Sequence, residues 1–164
     1  MYRLFIGILI CLLLTLGAYI QMKRSEKMEP ILYTLKLSEG EYDPKQGLYI
    51  IRSPEYYLDI GIYRESIEVN APSNATILIS AYYTSGPGFT KWDWHGGLLY
   101  IFENGSFISP RGPGLEPEIY HTNNLTYNSS VSFGSWNYWE IRANSPDVTV
   151  KISVKLVKVT PPEI

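Results

Sequence analysis

The chain has one cysteine, Cys11, in 164 residues. A lone cysteine excludes an internal disulfide and any cysteine-based metal site. It sits mid-run behind Ile10, not after small residues at the end of an apolar stretch, which argues against lipid attachment. Histidine is equally scarce, with only His95 and His121. Charge of either sign is sparse. Lys and Arg total 14 against 16 Asp and Glu, and no basic block marks a nucleic-acid partner. No G-x-S-x-G nucleophile elbow occurs, and no acidic cluster suggests the paired carboxylates of a glycosidase. Past residue 30, no window keeps helical periodicity for three turns. These absences weigh against an enzyme. We expect no catalytic residues, no metal and no cofactor.

Long continuous apolar runs are also missing, with one exception. "LFIGILICLLLTLGAYI", Leu4 to Ile20, contains no charge. As a helix it would reach about 25 Å, the short end of a membrane span. Arg3 precedes it, and Lys23, Arg24 and Lys27 follow. A cleaved signal peptide is the alternative, with Thr15-Leu16-Gly17 and Leu16-Gly17-Ala18 as weak candidate cut sites. The expected organisation is an N-terminal transmembrane helix or signal with a basic linker over 1–29, a single domain over 30–160, and a tail over 161–164.

Two signals disagree about orientation. The basic flank after the run favours a cytoplasmic domain. Four N-x-[ST] sequons, at Asn74, Asn104, Asn124 and Asn128, favour an extracellular one, since this composition gives roughly one by chance. The expectation is a single-pass protein of the cell membrane with its domain outside, the membrane being its first partner. Secretion after cleavage is the alternative.

Aromatic residues are abundant, with 14 Tyr and 4 Trp, and the apolar pattern beyond Pro30 alternates. "ILYTLKLS" puts Ile31, Tyr33, Leu35 and Leu37 on one face, the period of a half-buried strand. In "YYLDIGIY" the same reading groups Tyr56, Leu58, Ile60 and Ile62 against Tyr57, Asp59, Gly61 and Tyr63. Ile77, Ile79 and Ala81 share a side. "GLLYIFE" and "SFI" flank Asn104-Gly105, a strong two-residue hairpin signal. The last run places Val148, Val150, Ile152, Val154 and Leu156 in one row. About eight to ten short strands predict an all-β antiparallel sandwich or jelly roll.

"NATILISAYYTSGP", "LLYIFENGSFI" and "YNSSVSFGSWNYWEIRANSPDVTVKISVKLVKV" follow in an order that resembles GOLD-like (Golgi dynamics) β-sandwich domains and similar membrane-anchored ectodomains of archaeal type. Tyr100-Ile101-Phe102-Glu103-Asn104 and Tyr138-Trp139-Glu140-Ile141-Arg142-Ala143-Asn144 carry the likeness, over residues 65 to 159. Pre-peptidase C-terminal-like sandwiches share the cadence. The chain departs from eukaryotic GOLD proteins in its N-terminal anchor, its lack of a coiled coil and its lack of a disulfide. The resemblance implies a non-enzymatic binding or structural sandwich and transfers no functional residues.

"WDWHGG" is the one stretch with candidate chemistry. Asp93 and His95 are two apart, so they share a strand face and suit two metal ligands, but no third ligand accompanies them. Trp92 and Trp94 also share a side. They are expected to close an end of the sandwich, and they form the first place to look for a ligand, either a sugar ring or a protein partner. Trp136 and Trp139 are expected in the core. Tyr56-Tyr57 and Tyr82-Tyr83 should each turn one ring inward and one outward.

Overall fold

The computed structural model describes residues 29–84, 94–111, 114–132 and 134–158, together with Leu13 and Thr15. The Leu4–Ile20 run otherwise lies outside these residues, as does the tail. Among the described residues no helix is long and apolar enough to cross a membrane.

The described residues between Ile31 and Lys158 are all-β, in two antiparallel sheets. Twelve strands are present among the described residues: β1 (Ile31–Lys36), β2 (Glu41–Asp43), β3 (Leu48–Arg52), β4 (Tyr56–Leu58), β5 (Gly61–Asn70), β6 (Ile77–Tyr83), β7 (His95–Glu103), β8 (Ser106–Ser109), β9 (Glu118–Tyr120), β10 (Asn124–Val131), β11 (Ser135–Ala143) and β12 (Thr149–Lys158). The smaller sheet runs β1-β12-β5-β10. The larger runs β2-β3-β11-β6-β7-β8-β9, with β4 also on β11. The count exceeds the expected eight to ten because β2, β4 and β9 have three residues each, too few for alternation to register.

Alternation decides which side chains are inside. In β12, Val150, Ile152 and Val154 are buried while Lys151 and Lys155 are exposed. In β1, Leu35 is buried, as is Leu37 just beyond, between exposed Leu32, Thr34 and Lys36. Ile77 and Ile79 of β6 and Ile141 of β11 face them from the larger sheet. Asn104 and Gly105 have φ of 49° and 74°. Both central residues are thus left-handed, as a two-residue hairpin between β7 and β8 needs.

One segment departs from the sequence reading. "YYLDIGIY" is two strands in different sheets. Tyr56 and Leu58 point inward from β4, but Gly61 and Tyr63 point inward from β5. The inward phase shifts by one residue at Asp59-Ile60, where the Asp59 carboxylate accepts the Ile60 N–H at 2.8 Å. The Tyr63 hydroxyl then donates to the Asp59 carbonyl at 2.8 Å. Tyr63, expected beside surface groups, is fully buried.

β3 and β4 lie along the same edge of β11, interrupted at Ser53-Pro54-Glu55. Ser53 bridges the gap. Its N–H donates to the Trp139 carbonyl, and its hydroxyl accepts the buried Trp139 N–H at 2.9 Å. A buried N–H without a partner costs about 1–3 kcal/mol. Ser53→Ala should therefore lower stability by about that amount in urea unfolding. Ser38→Ala, at an exposed position, should leave the midpoint unchanged.

Candidate functional site

The two sheets differ on their outer faces. On the smaller sheet, pairing aligns Thr34, Lys151, Glu68 and Asn124 in one cross-strand row. Ser153, Ser66 and Thr126 form the next, and Lys155, Arg64 and Asn128 another. Leu32, Ile62 and the exposed Val157 interrupt this polar surface. All four sequon asparagines are exposed. Asn124 and Asn128 lie on β10, on this polar face, while Asn74 and Asn104 lie in turns.

The outer face of the larger sheet is aromatic. Tyr138 of β11 lies opposite Tyr82 of β6, and their rings stack at 4.9 Å and 15°. The Trp94 ring meets Tyr138 edge-to-face at 4.7 Å. Further along, Tyr57 and Trp136 pair at 5.5 Å. Offset and edge-to-face contacts of this kind contribute about 0.5–1.5 kcal/mol each beyond their area. Leu78, Ile101, Ile108 and Ile119 form an apolar row across β6 to β9 on the same side. Leu98 is 42% exposed and Ile119 51%.

Beneath the aromatic group lies Glu140, only 2% exposed although its strand position faces outward. Arg52 Nε reaches its carboxylate at 2.6 Å and the Arg142 guanidinium at 2.7 Å. The hydrogen bond to Glu140 holds the Arg52 guanidinium above its ordinary pKa. Covering one carboxylate with two planar cations fixes the guanidinium geometry at the surface.

Gly96 contributes by what it lacks. It pairs with Tyr82, so that flank of the Tyr82 ring meets no side chain from β7. Its φ is +123°, and a Cβ there would stand 2.1 Å from the Ala81 carbonyl oxygen. Only glycine fits this backbone.

The sequence-derived candidates distribute as follows. Trp92 and Asp93 lie outside the described residues. Trp94 is half-buried on the outer face against Tyr138, so it does not plug the core as expected. His95 opens β7 with its ring 6.3 Å from Tyr83. The His121 ring Nδ1 lies 3.1 Å from the Ser106 hydroxyl. Among the described residues no three His, Cys, Asp or Glu side chains converge on a common point. Trp139 is in the core at 1% exposure, whereas Trp136 is half-buried on the outer face. They stand three apart, so a strand cannot bury both. Tyr56 is inward and Tyr57 outward, as alternation predicts. Sequence reasoning missed the joining of Tyr82, Tyr138 and Trp94, because strand order is needed to bring β6, β7 and β11 together.

A cleft of about 720 Å³ opens between the sheets beside this region. Its lining includes Tyr56, Glu65, Tyr127 and Trp139. Glu65 belongs to the inward row of β5 and is 9% exposed. The Tyr127 hydroxyl donates to its carboxylate at 3.0 Å, and the Ser129 hydroxyl donates to its other oxygen. The Trp139 indole N–H approaches the Tyr56 hydroxyl but has no acceptor in hydrogen-bonding geometry.

Burial, then the nearby Glu65 charge, pushes the Tyr127 and Tyr56 hydroxyls far above the ordinary tyrosine value of 10.0. A phenol with a raised folded-state pKa stays protonated while the unfolded chain releases its proton. Its contribution is complete below pH 10 and is lost as pH rises further. Unfolding free energy should therefore fall steeply above about pH 10. Tyr127→Phe should flatten that fall. An unchanged alkaline profile would remove the assignment.

Compared with known proteins, the chain matches no family model, no curated protein and no solved structure.

Proposed function

We propose that the chain is a membrane-tethered, extracellular β-sandwich that binds a protein partner at the cell envelope without catalysing a reaction. The outer aromatic face of the larger sheet makes the contact. One observation carries this reading: the two outer faces of the same sandwich differ sharply, one polar and one built from Tyr, Trp, Arg, Leu and Ile. Tyr, Trp and Arg dominate interface hot spots, and contiguous apolar surface on a soluble face marks contact sites. The Arg52–Glu140–Arg142 group supplies polar anchors already held in place, which lowers the cost of association. The sequons, two on the polar face and two in exposed turns, support an extracellular domain, and the uncharged Leu4–Ile20 run supports the tether.

Strand orders β1-β12-β5-β10 and β3-β11-β6-β7 favour a jelly-roll winding. The GOLD-like affinity is part of the same proposal. It rests on the strand and turn cadence quoted above.

A carbohydrate ligand is the second reading. The pairing of Tyr82 with Gly96, a neighbour without a side chain, favours it, since a sugar ring can stack on an aromatic face.

Mild detergent extraction of the full chain followed by native electrophoresis tests the main reading. The expected result is a complex heavier than the monomer. Tyr138→Ser should dissolve it while leaving the circular dichroism spectrum unchanged. Ser66→Arg, on the polar face, should leave it intact. A monomer at native expression level contradicts a protein partner. Retention on a glycan column that Tyr82→Ser abolishes would replace it with the carbohydrate reading.

A further inference from the structure

Glu65 presents a problem that the outer face does not address. Its carboxylate is nine-tenths buried, and its polar partners are two neutral hydroxyls, Tyr127 and Ser129. Among the described residues no Lys, Arg or His pairs with it. Buried charges in folded proteins are normally paired or bound to a cation, because desolvation is expensive. By contrast, the buried Glu140 has two arginines. A carboxylate offers about four acceptor positions, and the two hydroxyls occupy two.

The surroundings of Glu65 define what could complete it. It lines the inter-sheet cleft together with Tyr56, Tyr127 and Trp139. Tyr100 stands behind Tyr127 at 5.9 Å between ring centroids. Leu58 and Leu99 add apolar lining. Anions are disfavoured by the carboxylate. A bare metal ion finds one carboxylate and no second acidic ligand. A neutral alcohol could hydrogen-bond but would leave the charge uncompensated. A compact organic cation meets every feature at once: it neutralises Glu65, and its apolar surface lies against aromatic walls, whose π-faces attract ammonium groups.

We propose that the inter-sheet cleft is a binding site for a compact organic cation of the alkylammonium class, with Glu65 as its counter-charge and Tyr56, Tyr127 and Trp139 as its aromatic walls. The site does not depend on the partner assigned to the outer face. Its lining also includes Tyr82, Gly96 and Leu98 of the larger sheet, but Glu65, Tyr56, Tyr127 and Trp139 belong to the inward rows, so either proposal can fail without the other.

Isothermal titration of the full chain in an uncharged maltoside detergent tests it. The probes are choline and its neutral isostere 3,3-dimethyl-1-butanol, which differ by the charge alone at nearly constant shape. Choline should bind saturably and at least about tenfold tighter than the alcohol, the factor expected for a desolvated cation over aromatic rings. Glu65→Gln should erase that preference while the circular dichroism spectrum is retained. Equal affinity for the two probes in the native chain overturns the proposal, as does a saturable response to neither. Choline binding that survives Glu65→Gln removes Glu65 from the site. The isostere comparison needs no variant, so it stands even if Glu65→Gln misfolds.

Discussion

A strand has two faces, and a sandwich can hide only one of them. That constraint governs this molecule. Every inward row must be apolar or internally satisfied, because buried polar groups without partners are costly. Val150, Ile152 and Val154 opposite Ile77, Ile79 and Ile141 meet the first condition. Ser53 meets the second, by supplying a hydroxyl where the edge strand breaks and the Trp139 N–H would otherwise stand alone. Burial at about 25 cal/mol per Å² then holds the sheets together without an internal disulfide.

What remains outside is free to specialise, and the two outer faces do so in opposite directions. The smaller sheet shows lysine, serine, threonine and asparagine to solvent. The larger sheet carries Tyr82, Tyr138, Trp94, Tyr57 and Trp136, with Glu140 clamped by Arg52 and Arg142. The acidic inward position, Glu65, coincides with the cleft between the sheets. These two places, the aromatic outer face and the acidic inward position, are the ones for which we propose binding roles.

Much of this was legible in the sequence wherever alternation ran long enough. The β12 row, the β1 row and the Asn104-Gly105 turn follow from period and turn chemistry alone. Reading failed where a strand was too short to show a period, as in β2, β4 and β9. It failed also at Asp59-Ile60, where a local side-chain hydrogen bond shifts the phase. That shift hid Glu65, because its inward phase depends on starting β5 at Gly61. The aromatic face was invisible for another reason: Tyr82, Trp94 and Tyr138 are far apart in the chain, and strand order brings them together. Trp94 reads as closing an end of the sandwich and as the first place to look for a ligand, since sequence cannot say on which side of a strand its end emerges.

Single-cysteine labelling tests most directly whether the aromatic face is covered at the cell envelope, and the chain suits it because Cys11 is its only native thiol. In a Cys11→Ser background, Leu98→Cys reports on the larger sheet and Thr34→Cys on the smaller, both exposed in the isolated fold. With an impermeant maleimide on intact cells, the account predicts rapid labelling at Thr34→Cys. Leu98→Cys should stay protected until detergent strips the partner away. Equal labelling of both positions on intact cells would show the aromatic face uncovered, and labelling of neither would place the domain on the wrong side of the membrane.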